Sequence, residues 1–179
     1  MTQKKIPIWK RNLRVLAVAV FIAGIAFSEV MPFLPLYIST LGHFSHQQLN
    51  MWAGLVFSGI YFVSAFVSPW WGKLADKKGR KLMILRASLG MSIVLAAMGL
   101  VTNVWQLFFL RMTQGFFAGF VSNSNALIAT ETPKEKSGQA LGTMASSFTA
   151  GNLLGPFVGG ALASIFSYRV AFFITGLLL

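Results

Sequence analysis

The sequence predicts an all-α integral membrane protein: a bundle of five complete transmembrane helices and a truncated sixth, with the N-terminus cytoplasmic. Three observations predict it. Of 179 residues, 55% are hydrophobic and only 11% are charged, where a soluble domain carries roughly a quarter charged residues. The few charges are gathered in short stretches between long apolar runs. The cations recur in alternate connections, the asymmetry that orients membrane helices.

A helix needs about 20 mostly apolar residues to cross a hydrocarbon core of about 30 Å. After a basic tail over residues 1–14, the first such run covers 15–41, and its length favours an uncleaved span over a cleaved leader. The second covers 52–74, the third 82–101, the fourth 105–130 and the fifth 139–166, each bounded by charge, Gly, Pro or Asn. A sixth begins at Val170 and stops at Leu179. Ten residues of helix rise about 15 Å, half of what the bilayer demands. Residues 15–179 are therefore expected to be one membrane-spanning region whose last helix is incomplete.

Orientation follows from the cations. The tail holds Lys4, Lys5, Lys10, Arg11 and Arg14; the second connection and its flank hold Lys73, Lys77, Lys78, Arg80, Lys81 and Arg86; the fourth holds Lys134 and Lys136. The alternate connections hold Arg169 alone. Cytoplasmic loops are the ones enriched in Lys and Arg, which places the N-terminus inside. The net charge of +11 would suggest nucleic acid in a soluble protein, but cations distributed between spans predict membrane lipid as the partner and no nucleic acid. With no cysteine, disulfides, thiolate metal sites and cysteine nucleophiles are excluded. His43 and His46 have no carboxylate or cysteine nearby, so no metal is expected, and no nucleophile–base pair, phosphate-cradling loop or paired carboxylates point to an enzyme.

The second connection reads Gly72-Lys73-Leu74-Ala75-Asp76-Lys77-Lys78-Gly79-Arg80-Lys81. Gly72 and Gly79 allow a tight turn, and Asp76 sits among cations; a generic basic turn explains the Lys and Arg but neither the acid nor the paired glycines. The fourth span places Arg111 inside an apolar helix, followed by Gln114 and Gly115. A charge there costs about 2.5 to 3.5 kcal/mol on insertion scales and marks function by default, the alternative being a guanidinium that snorkels outward. In the fifth span Gly151, Gly155 and Gly159 share one helical face, a surface that admits a close neighbour. Pro156 adds a kink by removing a backbone donor, and Gly160 doubles the last glycine.

Glu29 is the only acid within an apolar run. By rise per residue it lies about 9 Å from the outer face of the core, and so does Arg111, counted from Trp105. The shared level predicts an intramembrane ion pair that offsets part of each charge's desolvation. Glu29 then suits a proton carrier or a counter-ion for cationic compounds; its alternative is a structural polar contact to a neighbouring helix.

The decapeptide from Gly72 to Lys81 resembles the signature loop of the Major Facilitator Superfamily, and Leu107, Arg111, Gln114 and Gly115 resemble that family's second motif. The run from Gly151 to Gly160 is similar to the motif of its drug:proton antiporters. With the run Met31-Pro32-Phe33-Leu34-Pro35-Leu36-Tyr37 and the stretch Asn123 to Thr130, the likeness to bacterial multidrug resistance transporters covers nearly the whole chain. It implies a latch role for Gly72, Asp76 and Arg80 in holding two six-helix halves together, and a part for Arg111 in proton coupling. It also implies substrate at the midplane between the halves and alternating access by rocking.

The function expected is proton-coupled export of amphipathic, drug-like compounds from a bacterial cell (inner) membrane, powered by the proton motive force with no cofactor. The partners implied are protons, small amphipathic substrates and a C-terminal half of the same transporter. A sugar or metabolite uptake symporter, and a non-transporting protein made from half a transporter, remain alternatives. The 17 Phe, 8 Met and 5 Trp residues would give a cavity adaptable walls.

Overall fold

A computed structural model describes residues 7–179 of the chain; Lys4 and Lys5 lie outside the described residues. It is helical throughout, with no strand among the described residues. Helices α1 (Ile8–Ser28) and α2 (Val30–Ser39) run on from one another through Glu29, whose backbone stays helical and whose N–H still reaches the Ile25 carbonyl at 2.9 Å. Then follow α3 (His46–Lys78), α4 (Arg80–Met98), α5 (Val104–Phe116), α6 (Phe120–Glu131), α7 (Lys134–Ile165) and α8 (Tyr168–Leu178). Four helical stretches, Ile8–Ser39, α3, α4 and α7, are long and apolar enough to cross a membrane.

Local chemistry sets several of the ends. Ser45 and Gln48 form a reciprocal capping box before α3, so that two backbone donors orphaned at the helix start are satisfied. Asn103 caps α5 by accepting from the Gln106 N–H at 2.9 Å, and Ser167 caps α8 in the same way. A single residue, Gly79, separates α3 from α4. Its φ of 89° lies in the region that favours glycine, which explains the glycine there.

Three expectations are corrected. The basic tail does not extend to residue 14 as a loop: α1 begins at Ile8 and carries Lys10, Arg11 and Arg14 on its first turns. Gly72 forms no turn, because α3 continues through it to Lys78; the turn is Gly79 alone, and Arg86 lies within α4. The fourth span is not one helix. It breaks at Phe117, Ala118 and Gly119, where Gly119 adopts φ 108°.

The break survives in an apolar setting because other groups take up its polar atoms, the condition for irregular backbone at membrane depth. The indole N–H of Trp71 donates to the Phe116 carbonyl at 2.9 Å, and the Arg86 guanidinium donates to the Ala118 carbonyl at 3.0 Å. Asn123 and Ser122 donate to the Gly119 carbonyl at 2.8 and 3.1 Å. Gly90 of α4 leaves the space that the Phe117 ring fills.

The buried apolar residues form two clusters, one toward each end of the bundle. One gathers around Tyr37, Met98, Leu107 and Phe172, with the Tyr37 hydroxyl donating to the Met98 carbonyl at 2.7 Å. The other gathers Val20, Ala87, Met91, Phe120, Ile128 and Met144. At the second end Asn12 donates to Glu131 at 2.7 Å, and that end collects every described Lys and Arg except Arg111 and Arg169. Elsewhere large apolar side chains such as Phe66, Leu89, Ile93 and Phe157 point outward, as hydrocarbon solvent permits.

The most extensive helix pairing joins α1 to α7. A methyl group built on Gly155 would lie 2.7 Å from the Ile25 carbonyl oxygen, and one on Gly159 would lie 2.7 Å from Cβ of Glu29. Gly151 and Gly24 face each other across the same seam, while Gly160 meets nothing within 4 Å. The seam is therefore closed backbone to backbone, as small-residue helix pairs in membranes are. Gly155→Val is expected to destabilise the bundle by about 3 kcal/mol or more through overpacking. Gly160→Val should stay within about 0.5 kcal/mol, as surface changes do. Thermal unfolding of the two variants in detergent measures the difference.

Candidate functional site

The functional candidates converge where α1 passes into α2. Gly155 and Gly159 bring the α7 backbone against Ser28 and Glu29, and the Ser28 hydroxyl turns back to the Gly24 carbonyl at 3.0 Å. Pro32 and Pro35 follow. Neither has an N–H, so the carbonyls of Ser28 and Met31 lose their usual helical donors in this stretch.

Glu29 is 1% exposed and Arg111 is 5% exposed, so both expected membrane charges are buried. The ion pair predicted between them does not form. The Glu29 carboxylate accepts from the Thr175 hydroxyl on α8, and Arg111 donates to Gln114 at 2.9 Å, one turn along its own helix. The reason lies in the seam: Cβ of Glu29 sits against Gly159, and the carboxylate emerges toward α8 rather than toward α5. Arg111 does not snorkel to a surface, and its Nε has no hydrogen-bond partner.

Arg111 instead borders a cavity of about 590 Å³. Phe27, Met31, Leu34, Phe57, Phe120 and Phe148 supply apolar walls, and Ser28, Tyr61, Ser122, Asn125 and Asn152 supply polar groups. Glu29 is not among its lining residues, although Ser28 and Val30 on either side are. The Asn125 carboxamide oxygen is buried without a partner. A mainly apolar chamber with a few convergent polar groups is the usual form of a small-molecule site.

The other sequence candidates have simpler settings. Gln114 is buried as the acceptor for Arg111, and Gly115 lies against the backbone of Ile60. Asp76 pairs with Arg80 at 2.9 Å at the exposed end of α3, the one ion pair among the described residues, while Lys81 is exposed. Helix α7 runs unbroken through Pro156. Sequence reasoning missed Thr175, whose only signal was a hydroxyl inside the last apolar run. It also missed Trp71, counted only within the second apolar run, and Arg86, read as one loop cation among several.

Four helical stretches of membrane length, with a chamber and two buried charges between them, define a polytopic membrane protein. Residues 16–179 match the Major Facilitator Superfamily, and the chain belongs to that superfamily. It is 56% identical over 167 residues to Multidrug resistance protein MdtG of Rahnella sp. (strain Y9602), covering 93% of this chain and 40% of that protein. It is 54% identical over 176 residues to Multidrug resistance protein MdtG of Citrobacter koseri, covering 98% of this chain and 43% of that protein. The same-named protein of Enterobacter lignolyticus is 54% identical over 167 residues, with 93% and 40% covered. The chain thus spans about two fifths of the length of the curated relatives it matches.

Thr175→Val should destabilise the bundle by about 1–3 kcal/mol, because it leaves the buried Glu29 carboxyl without its donor, whereas Thr175→Ser keeps the hydroxyl and most of the stability. Thermal unfolding in detergent, compared with Thr175→Val combined with Glu29→Gln, separates the lost hydrogen bond from lost packing.

Proposed function

We propose that this chain is the N-terminal half-domain of a proton-coupled multidrug efflux antiporter that exports amphipathic compounds by alternating access. The observation that carries the reading is the cavity of about 590 Å³, mainly apolar and bordered by a buried guanidinium. Likeness to proteins named for multidrug resistance, at 53–56% identity, supports it, as does the antiporter-type glycine run from Gly151 to Gly160. A C-terminal half is the natural partner across the cavity, and the inner membrane of a bacterium the natural location.

Glu29 is the proton carrier in this reading. Among the described residues its one hydrogen-bond partner is a neutral hydroxyl and no cation lies within ion-pair distance, so a proton can come and go without breaking an ion pair. Its carboxylate stands apart from the cavity lining, so drug and proton occupy adjacent sites. Ser28 and Val30, which line the cavity, flank Glu29 in the chain, which gives the two sites a means of coupling. Asp76 and Arg80, on either side of the Gly79 turn, latch the halves on the cytoplasmic side.

Glu29→Gln in the full-length transporter is expected to reduce drug export into everted vesicles with a preset pH gradient by more than about tenfold; unchanged export overturns the carrier role. Orientation has its own test. A cysteine replacing Lys78 should escape a membrane-impermeant maleimide in intact cells, and one replacing His43 should be labelled.

A further inference from the structure

At the break in the fourth span, the carbonyls of Phe116 and Ala118 are both held from one hairpin. Trp71 near the end of α3 and Arg86 near the start of α4 belong to the same hairpin, joined by Gly79, and the Asp76–Arg80 ion pair spans its turn. The two side chains act as one unit: the Arg86 guanidinium lies 3.5 Å from the centre of the Trp71 ring, a stacked cation–π contact. Trp71 takes the Phe116 carbonyl and Arg86 takes the Ala118 carbonyl. In a continuous helix those two acceptors would be filled by backbone donors four residues on. Nε and Nη1 of Arg86 are buried without acceptors, so the guanidinium keeps donors in reserve on the face of the break. Just beyond it, Gly119, Phe120 and Ser122 line the cavity.

We propose that Trp71 and Arg86 are positioning residues for translocation: together they fix the angle between α5 and α6 at the break and so tie the cavity wall to the α3–α4 hairpin. The inference rests on the transport reading for its kinetic consequence, but its geometric content is independent of that reading. Motion of the hairpin at the loop end moves the two donors, the donors carry the carbonyls of Phe116 and Ala118, and α6 swings its cavity-lining turn relative to Arg111 on α5. A continuous fourth helix would lack this joint.

The test uses the full-length transporter in liposomes, with Trp71→Phe, which keeps the ring but not the N–H, and with Arg86→Met and Arg86→Lys. Spin labels at the exposed positions Phe109 on α5 and Thr130 on α6 read the angle across the break, and ethidium export reads the turnover. Expected for Trp71→Phe and Arg86→Met are a broadened distance distribution and a kcat about tenfold lower with KM within about twofold, with Arg86→Lys restoring part of both. Distributions as narrow as wild type overturn the proposal, as does loss of kcat only in step with loss of thermal stability. Absence of ethidium export by the wild-type protein counts against the transport reading and leaves the distance measurement to decide the joint.

Discussion

Close approach of α1 and α7 is the constraint on which the rest of the bundle depends. Three glycines one turn apart bring the two backbones into contact, and that contact fixes where Glu29 emerges. From there follow the turn of the carboxylate toward Thr175, its distance from Arg111, and the freedom of the guanidinium to face the cavity. In hydrocarbon no hydrophobic effect presses helices together, so close packing and polar satisfaction carry this weight. A seam widened by a side chain would move the acid and the cavity wall at once.

The polar atoms obey the same economy. Several buried polar groups in the membrane region are matched by a side chain: Thr175 for Glu29 and Trp71 and Arg86 for the carbonyls at the broken helix, all from other helices, and Gln114 for Arg111 from its own. Unpaired backbone groups in hydrocarbon cost several kcal/mol, which is why a non-helical segment is tolerated only where two side chains reach it. Among the buried atoms left without a partner, Nε of Arg111 and the carboxamide oxygen of Asn125 belong to residues that border the cavity, and Nε and Nη1 of Arg86 lie at the break.

Much of the fold was legible in the sequence because membrane thickness turns length into a signal. Runs of about 20 apolar residues marked the regions that α1–α2, α3, α4 and α7 occupy, and the spacing of Gly151, Gly155 and Gly159 announced a packing face. Helix ends were less legible, since charged residues such as Lys77 and Lys134 extend helices beyond the apolar core at no cost in water. The broken fourth span was invisible to hydropathy: Phe117 and Ala118 are as apolar as their neighbours, and only the glycines at 115 and 119 hinted at it. At the site, sequence identified which charges are buried but not which partners they choose. Depth counting put Glu29 and Arg111 at one level and was silent on the rotation of each helix about its axis. That rotation is set by the glycine seam, a tertiary property.

The seam also divides α7 into residues with opposite licence to diverge. Leu153, Leu154 and Phe157 point away from the other seven helices, and within these eight helices one apolar side chain serves there as well as another. Within one turn of them, Gly151, Gly155 and Gly159 cannot gain a single methyl group without displacing α1. The most and the least replaceable positions of the helix therefore alternate along its length, and its tolerance of change follows the turn of the helix more closely than depth in the membrane.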